Sequence, residues 1–362
     1  MSLKLRKSAR SKPMLKKFLP LLALTMALGP TQIFAQSSDI ELLGGDFRVG
    51  YEAEINSNAS TSTEGQNSIN LRGSYISLNA EWKNKVRLVL TAKLEKIFKE
   101  NKVSFSDDFS LEEFVEEAYI EIKEVGGSPI AVIVGKQPIP FSQKVQAMPI
   151  FSDNPVAGLQ NINVVYGVTV DLTEGLFGIF DQVEVSAFET EKGDLKLGTI
   201  DGVSVRLSKM LTDNILMTIG HAEMGNTHLD TGHERRTSIG LVAESNDGML
   251  VGWVEGMFFS NNPNYPDSSF AITAGAMVRV HRTTDVIVEF NYVEKELNQY
   301  AIGTRTALTS NLTLGVEARY NDYHDGRDND VVFGVNLSYS FGSSGYRPNE
   351  EFLFNGDDKD NY

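Results

Sequence analysis

Residues 312–341 read LTLGVEARYNDYHDGRDNDVVFGVNLSYSF, and this stretch decides the fold. Apolar and polar residues alternate along both of its ends, which are joined by a polar link. Alternation with a period of two places one set of side chains on each face of a β-strand. Strands of soluble proteins usually have about 5–6 residues, whereas strands that cross a membrane need about 9–11. The stretch therefore predicts two membrane-spanning strands with an apolar face towards lipid and a polar face towards water.

The same alternation recurs from Phe47 onwards and predicts about sixteen strands. A register change is expected near Gly73-Ser74, because the apolar parity shifts there. The predicted strands are Phe47–Ile55, Ile69–Trp82, Val86–Glu95, Glu117–Glu124, Ile130–Lys136, Ile162–Leu172, Ile179–Thr190, Thr199–Met210, Asn214–Met224, Arg235–Ser245, Met249–Ser260, Phe270–Arg282, Val286–Lys295, Tyr300–Leu308, Leu312–Tyr320 and Val331–Phe341.

The links between these strands alternate between short and long. Strands two, eight, ten, twelve and fourteen end in hairpin-turn compositions such as Asn246-Asp247-Gly248, whereas strands three, five, nine and fifteen end in longer polar links. The link after strand thirteen, around Glu296, is short where a long one is expected. Short periplasmic turns and long extracellular loops alternate in this way in outer-membrane barrels. The fold class predicted is all-β, a transmembrane antiparallel up-and-down β-barrel of about 16 strands; a soluble β-protein is the alternative.

The first 35 residues have the layout of a secretory signal peptide. Seven basic residues precede an apolar run from Phe18 to Leu28, and Ala35 offers a small residue for cleavage. A membrane anchor is the alternative, but the run is short of the ~20 residues that a spanning helix needs. The predicted organisation is a signal peptide (1–35), a short periplasmic segment (36–46), the barrel (47–341) and a polar C-terminal tail (342–362).

Composition excludes several classes of protein. The chain has no cysteine, so no disulfide, zinc-thiolate site or thiol nucleophile can form. Removing the signal peptide leaves 26 basic and 48 acidic residues, a formal charge of −22. This acidity argues against nucleic acid as a partner, because phosphate binding needs a basic face. Hydrophobic residues still make up 41% of the chain, which indicates a folded body whose carboxylates face water in loops or a lumen.

The longest link, from Gln137 to Asn161, is the third of the predicted extracellular loops. Loops of this length inside a compact domain are uncommon and are usually functional. Its prolines stiffen it, and Phe141, Met148 and Phe151 are apolar enough to favour burial. We expect it to fold into the lumen and narrow the pore; a surface cap over the mouth or an oligomer contact are the alternatives.

This region also resembles a known family. Gly135-Lys136-Gln137-Pro138-Ile139-Pro140-Phe141-Ser142 is similar to the Gly-Arg/Lys/Gln-x-x-x-Pro-Phe-Gly motif of Gram-negative 16-stranded outer-membrane porins, of the phosphate-selective porin-like and siderophore-porin-like group. The likeness extends over Glu117 to Tyr166 and is only architectural elsewhere. It implies diffusion of small solutes through a constriction made by the third loop, with Gly135, Pro138, Pro140 and Phe141 shaping that loop. The chain differs in the tail after Phe341, and it shows no clear lysine and arginine ladder for phosphate.

Charged residues of lumen parity are the candidates for the pore lining, because charged rings at a constriction set selectivity. A solvated or ion-paired wall residue is the alternative for each of them. The candidates for the lining and constriction are Arg87, Glu121, Lys136, Lys144, Asp153, Arg206, Arg279 and Arg319. Of these, Lys136, Lys144, Arg87 and Glu121 are expected near the loop base, with Asp153 at its far end.

Other chemistry is weakly indicated. The acidic residues from Asp107 to Glu117 are compatible with a calcium site, although a solvated helix face is favoured because EF-hand spacing is lacking. His228 and His233 share a loop with Asp230 and Glu234, a set that is compatible with loose metal binding. No serine stands in a recognisable nucleophile context, so no catalytic site, resident metal or cofactor is predicted.

The sequence thus predicts a porin of the Gram-negative outer membrane that passes small hydrophilic solutes or ions passively. The alternative is a substrate-specific uptake channel, for a siderophore or an oligosaccharide. A structural protein or adhesin is a third hypothesis. The expected partners are outer-membrane lipid, lipopolysaccharide and small solutes. A homotrimer is compatible with the sequence, but the sequence does not determine the oligomeric state.

Overall fold

The computed structural model describes residues 40–42, 46–94, 114–143, 145, 148, 155–162, 165–173, 179–190, 200–225, 233–324 and 326–342. The predicted signal peptide (1–35), the tail beyond residue 342, Lys144 and Asp153 lie outside these ranges. So do residues 107–113 of the acidic cluster, and His228.

Sixteen long strands form the body of the protein. They are β1 (Phe47–Ser62), β2 (Tyr75–Trp82), β3 (Val86–Lys93), β4 (Val115–Ile122), β5 (Ile130–Gln137), β6 (Val165–Thr173), β7 (Gln182–Phe188), β8 (Gly202–Thr212), β9 (Ile215–Met224), β10 (Glu234–Glu244), β11 (Leu250–Ser260), β12 (Phe270–His281), β13 (Thr284–Val293), β14 (Leu297–Ala307), β15 (Leu312–Tyr323) and β16 (Asp330–Gly342). Two short strands, Ile40–Leu42 and Asn67–Asn70, a 3₁₀ turn at Val125–Gly127 and one helix, α1 (Ala157–Gln160), complete the described elements.

The sheet closes on itself. Each long strand pairs antiparallel with the next along the chain, and β16 pairs with β1 from Val332 opposite Ser62 to Gly342 opposite Glu52. Because every strand then has two neighbours, the barrel has no open edge and the backbone groups are satisfied within the sheet. The predicted closed antiparallel barrel of sixteen strands is therefore confirmed.

Alternation separates the two faces of the wall. In β15, Val316 and Tyr320 are exposed on the outside, whereas Glu317 and Arg319 between them are buried. The exposed apolar positions of each strand define its outer face; the positions that alternate with them are called the inner face. Polar and charged side chains dominate the inner face of β15, as the sequence pattern predicts.

The expected register change occurs where β1 meets its partner. Asn58 pairs with Asn70 but Glu54 pairs with Tyr75, so residues 55–57 face residues 71–74. One strand thus contributes an extra residue, which is a β-bulge. Strand β1 also continues to Ser62, seven residues beyond the predicted end at Ile55. Residues 56–62 carry almost no apolar side chains, so alternation could not predict a strand whose extension rests on backbone pairing.

The link pattern agrees with the sequence. The short links predicted after β2, β8, β10, β12 and β14 are short, and the exception after β13 is a link of three residues, 294–296. Lys83 and Asn84 both have positive φ, which suits the tight hairpin turns of twisted strands. No helix in the described ranges is both long and apolar enough to cross a bilayer.

Candidate functional site

The long link between β5 and β6 packs against the wall through apolar side chains. Ile139 and Phe141 have no exposed surface, and they share a buried cluster with Phe188 of β7 and Met257 and Phe259 of β11. Val145 and Met148 belong to a second cluster that includes Trp253, Ile287 and Ala301. The wall residues of both clusters alternate with exposed outer positions such as Val254 and Phe258, so they belong to the inner face.

Strand β11 explains why this part of the inner face is apolar. Val251, Trp253 and Met257 are buried on its inner face, while Val254 and Phe258 are exposed on its outer face. A strand that is apolar on both faces is one whose inner side is covered by protein. Loss of alternation in β11 is therefore a sequence signal for the surface that meets the long link.

Arg236 of β10 holds the second half of the long link. Its Nη1 donates to the backbone carbonyls of Gly158, Leu159 and Asn161 at 3.2, 2.7 and 3.1 Å, and its Nε donates to Glu234 Oε1 at 2.8 Å. These carbonyls lie at the C-terminus of α1, where a helix has no internal donors for them. A buried guanidinium here completes the helix end and fixes α1 to the wall. Sequence reasoning missed Arg236, because it lies at the polar start of its strand beside exposed Arg235.

Glu255 of β11 joins the two halves of the link. Its Oε1 accepts a hydrogen bond from the backbone N–H of Gln143 at 3.2 Å, and its Oε2 accepts one from Gln160 Nε2 at 2.7 Å. Ser142 Oγ also donates to the carbonyl of Gln160 at 3.0 Å. The two ends of the link are therefore fixed to each other and to one buried carboxylate. Glu255 was also missed, since it is a single acid within an apolar strand.

Two glycines make the close contacts possible. A Cβ on Gly220 of β9 would lie 1.8 Å from the carbonyl oxygen of Phe141, so a side chain there would displace the link. Gly135 has a φ of +133°, and a Cβ there would lie 2.4 Å from the Ala118 carbonyl oxygen. This conformation is open mainly to glycine. Of the other loop residues predicted from the motif, the Pro140 carbonyl accepts a hydrogen bond from Ser204 Oγ at 2.9 Å, and Pro138 is exposed.

Three of the candidate lining arginines are ion-paired on the inner face. Arg87 Nη2 lies 2.8 Å from Glu121 Oε2 on the neighbouring strand. Arg319 Nε lies 2.7 Å from Glu317 Oε1, with both side chains buried. Arg206 pairs with Glu184 across β7 and β8. The candidate acid Glu121 is thus the ion-pair partner of Arg87. The partners of Arg319 and Arg206 are also acids of the inner face.

The other charged candidates are placed differently. Lys136 pairs in register with Ala118 and Tyr166, and it lies two residues after Val134, which is exposed on the outer face of the same strand. The Lys136 Nζ donates to the Val115 carbonyl at 2.7 Å. The predicted inward position of Lys136 is therefore corrected: Lys136 shares the parity of Val134 on the outer face. Arg279 lies at the short-link end of β12, where Nε contacts Asp285 Oδ1 at 3.0 Å.

Height along the wall also separates the candidates. Glu121 pairs with Ile133, three residues before Lys136 on β5, so the Arg87–Glu121 pair lies closer to the short links than to the long link. Within the described ranges, no group of three or more histidine, aspartate or glutamate side chains is arranged to hold a metal ion.

No family model matches the chain, and no curated protein matches it. Its fold is nevertheless similar to solved structures. The outer membrane channel DcaP of Acinetobacter baumannii has a TM-score of 0.63 and 12% identity over 84% of this chain and 100% of that one. The anion-selective porin from Comamonas acidovorans has a TM-score of 0.59 and 14% identity, over 82% and 100%. The trimer form of OmpT, an outer membrane protein of Vibrio cholerae, has a TM-score of 0.56 and 12% identity, over 81% and 99%. This chain therefore has the sixteen-stranded barrel fold of the outer-membrane porins.

Proposed function

We propose that this protein is an outer-membrane porin that passes small hydrophilic solutes and ions. The observation that carries the proposal is the closed barrel of sixteen strands with an exposed apolar outer face and a polar, charged inner face. An apolar band outside suits lipid, and a polar interior suits water. Barrels of 16–18 strands are wide enough for an aqueous channel. Passive permeation needs no catalytic group, so the proposal includes no enzymatic activity.

In this proposal the long link lies inside the barrel and sets the width of the channel. Its support is the set of inner-face contacts: Arg236 on the carbonyls of α1, Glu255 on Gln143 and Gln160, and Phe141 against Gly220. A link fixed at both ends along one side of a barrel leaves the opposite side for solutes. Lys144 and Asp153 remain proposed constriction residues on sequence grounds.

The inner-face arginines bear on selectivity. Arg87, Arg206 and Arg319 each have a carboxylate partner, so their charges are compensated. An anion-specific pore of the phosphate-selective kind relies on cationic side chains that meet the solute. The resemblance to the phosphate-selective and siderophore-porin group therefore concerns the loop motif, and phosphate transport is not part of the proposal. With −22 charges in the predicted mature chain, we propose a weak preference for cations.

Residues 1–35 are proposed to be a cleaved signal peptide that sends the chain to the outer membrane of a Gram-negative bacterium. The barrel at 47–341 would then contact lipid and lipopolysaccharide, with residues 36–46 and 342–362 flanking it. A homotrimer is proposed, with the trimer form of the similarly folded Vibrio protein as support.

Planar-bilayer conductance of the purified protein tests the channel. Stepwise current increments in potassium chloride are expected, with a reversal potential of cationic sign in a salt gradient. Absence of steps from folded protein would refute the porin proposal. An anionic reversal potential would refute only the selectivity. A barrel that resists SDS until it is heated is the control for folding.

A further inference from the structure

A cavity of about 670 Å³ lies beside the long link, which contributes Pro155 to its lining. One side is formed by the last part of β1 and the short strand Asn67–Asn70, and the other by the start of β14, the end of β15 and the start of β16. Both sides are at the end of the barrel that carries the longer links. Cavities of about 300–1,000 Å³ are typical of sites for small ligands.

The lining of this cavity is rich in amides and hydroxyls. Ten of its nineteen lining residues are asparagine, glutamine or serine. Such side chains supply donors and acceptors side by side without charge. The exposed or half-buried members include Ser60, Asn67, Ser68 and Asn264. Ser60 Oγ and Ser68 Oγ lie 2.8 Å apart, so two hydroxyls face the cavity from neighbouring strands.

Buried amides hold this lining in place. Gln299 Nε2 donates to Asn321 Oδ1 at 2.9 Å, linking β14 to β15. Asn58 Oδ1 accepts from Asn336 Nδ2 at 2.8 Å, and Asn58 Nδ2 donates to the Arg72 carbonyl at 3.0 Å. Because each amide is fixed by a partner, the remaining donor and acceptor sites have set directions. A pre-organised polar surface lowers the entropy that a ligand loses on binding.

The charges of the cavity balance. Two arginines and two acids line it. Arg327 Nη2 lies 3.9 Å from Glu296 Oε2, and Asp330 Oδ1 accepts hydrogen bonds from the Thr63 N–H at 3.1 Å and from Thr63 Oγ1 at 2.7 Å. The Arg327 guanidinium also lies 4.0 Å from the centre of the Tyr323 ring. These contacts engage Arg327, Glu296 and Asp330 with the protein itself, and two arginines against two acids leave the lining without a net charge.

We infer that this cavity binds a short neutral oligosaccharide. Many hydroxyl groups in one neutral ligand match a lining of fixed amides and hydroxyls, and Tyr265 and Tyr323 add rings with an apolar body beside polar groups. The Tyr265 hydroxyl donates to the Pro155 carbonyl at 3.0 Å, which joins this lining to the long link. The inference rests on the proposed channel function, for which it names the substrate class.

Isothermal titration of the detergent-solubilised full chain with neutral trisaccharides, among them maltotriose and raffinose, tests the binding. At least one is expected to bind, whereas polyethylene glycol of similar mass, which has only two terminal hydroxyls, is not. Ser60→Leu places an apolar side chain in the cavity, and Asn67→Leu does so at an exposed position where folding is not at risk. Each is expected to raise the Kd about ten-fold or more, the equivalent of about 1.4 kcal/mol.

Gln182→Leu is the matched control. It replaces another wall amide, at the short-link end of β7 and outside the cavity, and it should leave the Kd unchanged. No binding by any neutral trisaccharide, or tighter binding of citrate or arginine than of the sugars, would overturn the ligand class. An equal loss in Gln182→Leu would overturn the location.

The same sugars added to a conducting bilayer separate the two proposals. Steps of current that the bound sugar blocks support both. Steps without block, together with no heat of binding, refute the saccharide site and leave the channel standing. Heat of binding by protein that never conducts refutes the channel and leaves the site.

Discussion

Replacing Arg236 with alanine should release the long link from the wall while the barrel stays folded. The guanidinium is about nine-tenths buried and donates from one nitrogen to three carbonyls. One Nη has two hydrogens, so about two strong bonds act at a time, each worth roughly 1.5–3 kcal/mol because the donor is charged. Glu234, which accepts from Arg236 Nε, would also lose its cation.

Water entering the vacated space offsets part of this loss, and we expect a net loss of about 3 kcal/mol in the free energy that holds the link to the wall. At about 1.4 kcal/mol per factor of ten, the displaced form of the link becomes roughly two orders of magnitude more populated. The barrel itself keeps its interstrand hydrogen bonds. The damage is therefore confined to the link, and the channel that the link is proposed to narrow should widen and fluctuate.

Single-channel recording measures this directly. Arg236→Ala should show a larger mean conductance and more current noise than the unmodified protein, with Arg236→Lys between them because a lysine keeps the charge but not the fork of donors. Arg235→Ala is the control: Arg235 is mostly exposed and pairs with Glu223 Oε1 at 2.7 Å. If Arg236→Ala and Arg235→Ala conduct alike and with equal noise, the link does not owe its position to Arg236.

Three further predictions concern the link and the wall. Gly220→Val should also raise conductance and noise, because its side chain would occupy the position of the Phe141 carbonyl, whereas Gly252→Ala meets only a contact at 3.8 Å and should behave like the unmodified protein. Glu255→Gln should weaken one of its two hydrogen bonds to the link, a loss of about 1–3 kcal/mol, and protease cleavage within the link should become faster; unchanged cleavage would contradict this. Asp181 lies outside the membrane-spanning strands, and hydrogen bonds from Lys209 and from the Met210 N–H lower its pKa. The Asp181 carboxylate therefore stabilises the folded protein above the ordinary aspartate pKa, and this contribution is lost as the pH falls through the lowered value. Asp181→Asn should therefore lower the heat-modification temperature in detergent by more at pH 7 than at pH 2, and an equal shift at both pH values would contradict the ion-pair reasoning.

Alternation was sufficient to predict where the strands lie. Lipid favours an apolar side chain at each outer position, which is every second residue of a strand, as at Val316 and Tyr320 of β15. The sequence of a membrane-spanning strand therefore has a regular alternation. The same reasoning fails where the membrane no longer acts. Residues 56–62 of β1 are polar on both faces, and their place in the sheet depends on backbone pairing alone.

The candidate site was harder to predict, because the position of a residue in the alternation predicts its face of the wall but not the side chain that it contacts. Parity placed Arg319 on the inner face, yet its pairing with Glu317 two residues earlier on the same strand is a matter of side-chain geometry. Lys136 follows Gly135, which has a positive φ inside β5, and the register of Lys136 with Ala118 was not visible in the alternation. Arg236 and Glu255 depend on a link about eighty to one hundred residues away in sequence, which no local pattern contains.

Cysteine modification of a conducting channel tests the central claim most directly, since the chain has no cysteine of its own. Ser338 and Phe333 both lie on β16, the first on the inner face and the second exposed on the outer face. A charged, water-soluble thiosulfonate should alter the current through Ser338→Cys and leave the current through Phe333→Cys unchanged. Equal effects at both positions, or an effect only at Phe333→Cys, would contradict a water-filled barrel in which Ser338 faces the lumen and Phe333 faces lipid.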